Sequence, residues 1–229
     1  MNIKKVIQKI IYPNTFSSER YIEFLRQQGA KIGDNCYIYA PTKTTIDSSR
    51  AFLLTIGNNV SITQGAIILV HDYSYSVLND VYNVMPNPCS ETKIGNNCFI
   101  GMNAIILSGA EIGDNCIIGA GSVVAGEIPN NSVAAGVPAK VICTLEQYYN
   151  KTTGNFDESA KLYVRKFKER KNRYPTIKEM GVYIALFLPR TKENYIYFEK
   201  INTRMINAGK NLFETKPLYS SYEDFLNKL

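Results

Sequence analysis

The chain has 229 residues, 26 basic against 20 acidic side chains and a formal charge of +6, a balance too modest to name a partner. Its length suffices for one real core with an appendage, or for two small domains. No window approaches the roughly 20 unbroken apolar residues of a membrane span. The five cysteines form no CxxC pair and no paired Cys/His spacing, so neither a zinc site nor a disulfide framework is indicated.

Met1 to Ile11 mixes lysines with Val6, Ile7, Ile10 and Ile11. This is too short and too interrupted for a secretory signal, and no small-residue cleavage site follows. An amphipathic helix in a cytoplasmic protein is expected, with at most a peripheral membrane contact through its apolar face. Ser17-Ser18-Glu19-Arg20 opens a second helix, with Tyr21, Ile22, Phe24 and Leu25 at helical spacing and Gly29 as its end. Residues 1–30 are thus expected to form a helical cap over an edge that would otherwise invite aggregation.

From Ile32 onward the period is six. Aliphatic side chains recur at Ile32 and Ile38; at Ile56, Ile62 and Ile68; and at Ile94, Ile100, Ile106, Ile112, Ile118 and Val124. Glycine often follows the aliphatic, and the fifth place of each hexad is small or β-branched, as at Cys36, Val60, Ala66, Cys98, Ala104, Ala110, Cys116 and Ser122. A helix repeats at 3.6 and a strand at 2, so a period of six needs another geometry. Three short strands joined by tight turns make a triangular coil, and stacked coils pair their strands in parallel at about 4.8 Å. The aliphatic points inward and the fifth residue must be small to share that interior. Glycine, Asn-Asn and Asp-Asn steps suit the corners. Cys98 and Cys116, one coil apart, read as stacked core residues.

This pattern resembles the left-handed parallel β-helix of the hexapeptide-repeat acyltransferases, over roughly half the chain. The expected fold is therefore mainly β: a left-handed parallel β-helix over residues 31–143, with the helical cap before it and a helical extension over residues 144–229. The phase slips between Ile68 and Ile94, so a loop at about 70–93 must leave the coil. Long excursions from a compact scaffold are commonly functional. This one opens on His71, the sole histidine.

Acyl transfer needs a base for the proton of the attacking group, and a neutral imidazole can accept it. The resemblance implies the catalytic histidine at this place, and the His-Asp-Tyr-Ser string looks like the version found in surface-polysaccharide O-acetyltransferases. Two carboxylates are candidates for orienting the ring. Asp72 is adjacent, although neighbours on an extended segment point apart. Asp47 stands near the end of the preceding coil.

Ile112 to Ile142, IGDNCIIGAGSVVAGEIPNNSVAAGVPAKVI, is similar to the end of the coil in galactoside, maltose and serine acetyltransferases. The resemblance implies acetyl-CoA as co-substrate, lying between coils of adjacent subunits, and hence a homotrimer. By the same resemblance Ala120 offers an amide near the pantetheine, and Met102 stands where a small residue's amide lies close to the thioester. Phe99 replaces a common tryptophan flanking the arm. Lys140 approaches the nucleotide phosphates, with Pro138 shaping the turn before it. Many relatives carry a Thr-Lys pair where this chain has Ala125 and Gly126, so that phosphate contact is missing. No metal requirement is expected.

After Ile142 the composition shifts. Leu145 to Arg173 reads as a helix with a basic solvent face, offering an electrostatic patch for coenzyme A phosphates, a nucleotide-sugar or an anionic glycan. Pro175-Thr176-Ile177-Lys178-Glu179 reads as another helix start, and the remainder to Leu229 as helical with breaks near Pro189 and Pro217. The leading expectation is an acetyl-CoA-dependent O-acetyltransferase acting on a sugar hydroxyl of a polysaccharide, lipopolysaccharide or precursor. Direct attack is expected, since no Ser or Cys sits in a nucleophile elbow. The alternatives are N-acylation of a nucleotide-linked amino sugar, acetylation of serine or an antibiotic, and a non-catalytic β-helical binding or structural module. Nucleic acid is not an expected partner, since only the basic run would support it.

Overall fold

Asparagine makes one corner of this molecule in every coil. Asn35, Asn59, Asn97, Asn115 and Asn131 have φ of 57°, 58°, 55°, 59° and 58°. This left-handed conformation costs ordinary residues about 1–2 kcal/mol, and short polar side chains tolerate it best. In the computed structural model, which describes residues 9–86, 89–201 and 215–229, the five stack one coil above another. The Nδ2 of each of the first four donates to Oδ1 of the next, at 3.3, 3.0, 3.0 and 2.9 Å. A second ladder runs beside it. The backbone N–H groups of Asp34, Asn58, Asn96 and Asp114 donate to the side-chain oxygens of Asn58, Asn96, Asp114 and Asn130 at 2.8, 2.8, 2.6 and 2.7 Å.

Between corners run short strands forming three parallel faces. The first face stacks β1 (Lys31–Ile32), β4 (Leu54–Ile56), β7 (Thr92–Ile94), β10 (Glu111–Ile112) and β13 (Glu127–Ile128). The second stacks β2 (Tyr37–Ile38), β5 (Ser61–Ile62), β8 (Phe99–Ile100), β11 (Ile117–Ile118) and β14 (Ser132–Ala135), and ends on β15 (Lys140–Thr144), which pairs antiparallel with β14. The third stacks β3 (Thr45–Ile46), β6 (Ile67–Ile68), β9 (Ile105–Ile106) and β12 (Val123–Val124).

Register makes the inward columns explicit. Ile32, Ile56, Ile94, Ile112 and Ile128 align on the first face, and Ile46, Ile68, Ile106 and Val124 on the third. All are buried, as are Val60, Ala66, Cys98, Ala104, Ala110, Cys116 and Ser122 at the small positions; Cys36, on the first coil, is only half-buried. Cys98 Sγ donates to Gly113 O at 3.1 Å and Cys116 Sγ to Pro129 O at 3.2 Å. Burial pushes the Cys98 thiol up to about 11, so it is a packing group and not a thiolate nucleophile. The coils also approach closely: a Cβ on Gly95 would lie 2.7 Å from the carbonyl carbon of Gly113.

Helix α1 (Ser18–Gln27) closes the start of the coil. Ser17 caps it, accepting from Arg20 N at 3.2 Å. Its side chains then satisfy all three faces. Arg26 donates to Ile32 O at 2.7 Å, Ser18 Oγ accepts from Ile38 N at 2.9 Å, and Tyr21 Oη accepts from Ile46 N at 2.9 Å. The apolar, lysine-bearing first segment lies mostly outside the described residues; within them, 9–11 are helical, and Ile10 and Ile11 are exposed. No helix among the described residues is long and apolar enough to cross a membrane.

Two compact units form, Met1–Tyr149 and Asn150–Leu229. The basic run is broken into α3 (Leu145–Gly154) and α4 (Phe156–Lys171), with Asn155 between them. In the second unit Ala160 and Val164 of α4 pack with Met180, Ile184, Phe187, Phe198 and Phe225, partly from α5 (Lys192–Ile201) and α6 (Tyr222–Leu226). The helix expected from Pro175 does not form as an α-helix. Thr176 and Glu179 do make reciprocal capping bonds, at 2.8 and 3.3 Å, but a 3-10 helix at Gly181–Leu186 follows. Five consecutive residues, Ile184 to Leu188, are buried there, and one face of an α-helix cannot bury them all.

Candidate active site

The excursion leaves the coil at a pinned neck. Val70 is fully buried, and Thr92 Oγ1 donates to Leu69 O at 2.8 Å while accepting from Gly109 N at 3.2 Å. Beyond the neck the loop carries α2 (Tyr75–Tyr82), whose Val77, Leu78, Val81 and Tyr82 are exposed. His71 is the first residue past Val70, so its backbone is anchored while its ring stands at the loop's mouth.

The imidazole Nδ1 bonds Asp47 Oδ2, and the two side chains are only 12% and 10% exposed. Ser49 locks the carboxylate from the other side, its hydroxyl donating to Oδ1 at 2.7 Å and its N–H at 3.0 Å. The Ser49 hydroxyl also lies 3.3 Å from Nδ1, and Val70 N–H reaches Oδ2 at 3.5 Å. Burial opposes ionisation of Asp47, yet the bonds from Ser49 and His71 together hold its carboxyl below the usual value. An ionised carboxylate only accepts, so Nδ1 carries the proton, and in the neutral ring the lone pair then lies on Nε2. Tyr73 meets the ring edge-on, 4.9 Å between centroids. Asp72 does not join this arrangement. It is exposed, and its Oδ1 accepts from Ser74 N at 2.9 Å and Ser74 Oγ at 2.6 Å, shaping the turn into α2.

A second set of groups gathers at the corner between the second and third faces. Met102 O accepts from Gly121 N at 2.8 Å, and Gln64 O from Asn103 N at 3.1 Å, so Gln64, Met102 and Ala120 stack. At the asparagine corner, side-chain oxygens satisfy the turn amides. Here the N–H groups of Gln64, Met102 and Ala120 have no acceptor among the described residues. A Cβ on Gly101 would lie 2.5 Å from Ala120 N, so this corner admits little bulk inside the turn. Phe99 and Met102 are 43% and 49% exposed. Pro138 is exposed in the hairpin between β14 and β15, after a cis peptide bond. Lys140 is exposed on β15 and has no ion pair among the described residues. Ala125 and Gly126 are exposed at the corner between the third and first faces, and neither carries a charge.

Sequence reasoning missed Ser49 and the unpaired amide of Gln64. The signal for Ser49 was an aspartate two residues ahead of a serine, a spacing that favours a local side-chain turn. Nothing in the residue type of Gln64 marks its amide, because a backbone group reveals itself only through its neighbours. Among the described residues no group of three His, Cys, Asp or Glu side chains could hold a metal ion.

Parallel three-faced coils, a single histidine at the mouth of an extruded loop and a corner of open amides define a hexapeptide-repeat transferase architecture. Residues 91–126 match the family model described as bacterial transferase hexapeptide, six repeats. Protein CapG of Staphylococcus aureus is 37% identical over 180 residues, covering 75% of this chain and 99% of that one. Galactoside O-acetyltransferase of Escherichia coli (strain K12) is 33% identical over 138 residues, 54% of this chain and 68% of that protein. A solved structure of galactoside acetyltransferase in complex with coenzyme A is 27% identical, covering 65% of this chain and 83% of that chain with a TM-score of 0.44. The chain belongs to the bacterial hexapeptide-repeat transferase family, its coil is that family's left-handed β-helix, and it is an acyltransferase.

Proposed function

We propose that this protein transfers an acetyl group from acetyl-CoA to a sugar hydroxyl, with His71 as general base and Asp47 as the residue that positions it. The observation that carries this reading is the Asp47–His71 bond at Nδ1, which leaves Nε2 as an acceptor where the loop opens. The attacking hydroxyl gives its proton to Nε2 as its oxygen forms a bond to the acyl carbon. As the carbon–sulfur bond breaks, His71 returns that proton to the departing thiolate. The imidazolium formed in between is stabilised by Asp47. Acetyl-CoA supplies the activated acyl group when bound. The open amides of Met102 and Ala120 suit its pantetheine arm and the developing oxyanion, Phe99 flanks the arm, and Lys140 with the Pro138 turn suits its phosphates.

This reading calls for more than one copy of the chain. His71 lies seven positions along the third face from the Gln64 corner, roughly 20 Å at strand spacing. One chain thus holds its base and its open amides at opposite edges of a face, and a neighbouring copy completes the site, as in the proposed homotrimer. The name of the E. coli relative supports an O-linked sugar acceptor.

The test is thiol release from acetyl-CoA with a panel of nucleotide-sugars, oligosaccharides, amino sugars and serine. His71→Ala is expected to lower turnover about 10²- to 10⁴-fold while the trimer and the β-rich circular dichroism persist. A folded His71→Ala protein with near-normal transfer would overturn the mechanism. A preference for an amino group would replace O-transfer by N-transfer.

A further inference from the structure

Helix α4 has two faces. Ala160 and Val164 turn to the core of the second unit, while Ser159, Leu162, Tyr163, Lys166, Phe167 and Arg170 form an i, i+3, i+4, i+7 stripe on another side. That stripe lines a groove of about 550 Å³, with Tyr183 of the 3-10 segment as its opposite wall. The volume lies in the range of small-ligand sites.

Three of the lining rings belong to one row. Tyr183, Tyr163 and Phe167 follow one another at centroid spacings of 5.6 and 6.0 Å, tilted by 41° and 43°, and Phe156 extends the row behind Tyr183 at 5.4 Å and 38°. The row is held firmly. Tyr163 Oη donates to Glu179 O at 2.8 Å, and Arg173 stacks 5.1 Å from the Phe167 centroid while forking onto Glu179 at 2.8 and 2.9 Å. One end of the groove is cationic. Lys161, Lys166 and Arg173 have carboxylate partners, but Arg170 and Lys171 have none within ion-pair distance among the described residues.

We infer that this groove binds an acidic oligosaccharide, the rings carrying its sugar faces and Arg170 and Lys171 its carboxylates. The electron-rich ring face attracts the positive C–H edges of a pyranose, as it attracts other electropositive groups. Stepped, tilted rings match consecutive sugars of a twisting chain better than the single flat face of a nucleobase. Preference for a saccharide over an acidic peptide rests on the sugar-acceptor reading above.

Isothermal titration of the full chain with trigalacturonate, maltotriose and adenosine 3′,5′-bisphosphate tests this. Trigalacturonate is expected to bind at least tenfold more tightly than maltotriose. Arg170→Glu with Lys171→Glu is expected to weaken it at least tenfold with the fold retained, the thermal midpoint falling only by what two exposed charges at a helix C-terminus contribute. Tyr163→Ala, checked for retained folding, is expected to weaken both saccharides. No trigalacturonate binding, or binding indifferent to the charge reversals, overturns the proposal and leaves Arg170 and Lys171 with only the helix-dipole role of C-terminal cations. So does charge reversal that weakens the bisphosphate alone. His71→Ala is expected to bind trigalacturonate as the parent does. Lost groove binding with intact acetyl transfer sinks this proposal alone; intact groove binding with no transfer to any acceptor sinks the catalytic reading alone.

Discussion

Asp47 and Asp72 share one local grammar, an aspartate whose carboxylate takes the N–H and hydroxyl of the serine two residues on. What separates them is the coil. Asp47 stands at the end of a third-face segment, beside the turn that holds His71, whereas Asp72 lies past the neck in the open loop. Asp47→Asn is expected to lower turnover about 100-fold or more with the KM for acetyl-CoA unchanged, because the ring loses its tautomer and aim. Ser49→Ala removes one of the bonds on the carboxylate and is expected to cost less. The pH dependence of stability offers a second readout. The folded carboxyl of Asp47 lies below the usual value and the unfolded one near about 3.9, so its contribution is fully present above that pH. It is lost as pH falls through the folded value. The urea midpoints of the parent and Asp47→Asn are expected to differ at neutral pH and to converge as pH falls through the lowered folded value of Asp47, below which both carry an uncharged side chain. A gap that persists unchanged there would mean that the substitution harms the fold by another route.

At the scale of elements, the asparagine corner carries its own cost and its own repayment. Asn97→Ala forces alanine into the left-handed region and removes two ladder bonds, an expected loss of about 3 kcal/mol. Asn97→Gly keeps the turn and loses only the ladder, so about half that loss is expected in urea denaturation. Equal losses for both substitutions would show that the ladder, and not the backbone conformation, dominates. The hexad strands were legible in sequence because each repeat states its core residue and its turn within six positions. Ile46 was not legible, although it fills the third-face column: 3-10 turns at Pro41–Lys43 and Ala51–Leu53 throw the first coil out of phase. His71 was legible as the break in that phase, but its partner was not. Choosing Asp47 over Asp72 needs the geometry of two adjacent coils. The helical character of the second unit is legible in its spacing and helix-start motifs, and α4, α5 and α6 form. Only the stretch around Ile184–Leu188 departs from it, since burial on all sides leaves no periodicity to follow.

For the whole molecule, the division of the proposed site between edges makes subunit mixing informative. Co-expressed His71→Ala and Met102→Trp chains, each expected to be inactive alone, are expected to recover about a quarter of parental activity. A randomly mixed ring builds that fraction of its sites from one intact edge of each chain. No recovery from a mixed trimer would place both halves of the site on one chain. The asparagine corner has one further consequence. Its turn keeps one length in all five coils, whereas the other two corners accept 3-10 insertions, a long excursion and, between Val124 and Ile128, a shortening. The ladder therefore acts as the spine along which the chain counts its turns. Novelty, whether by mutation or by grafting, is tolerated at two of the three edges, and a loop inserted at the third would cost the coil its count.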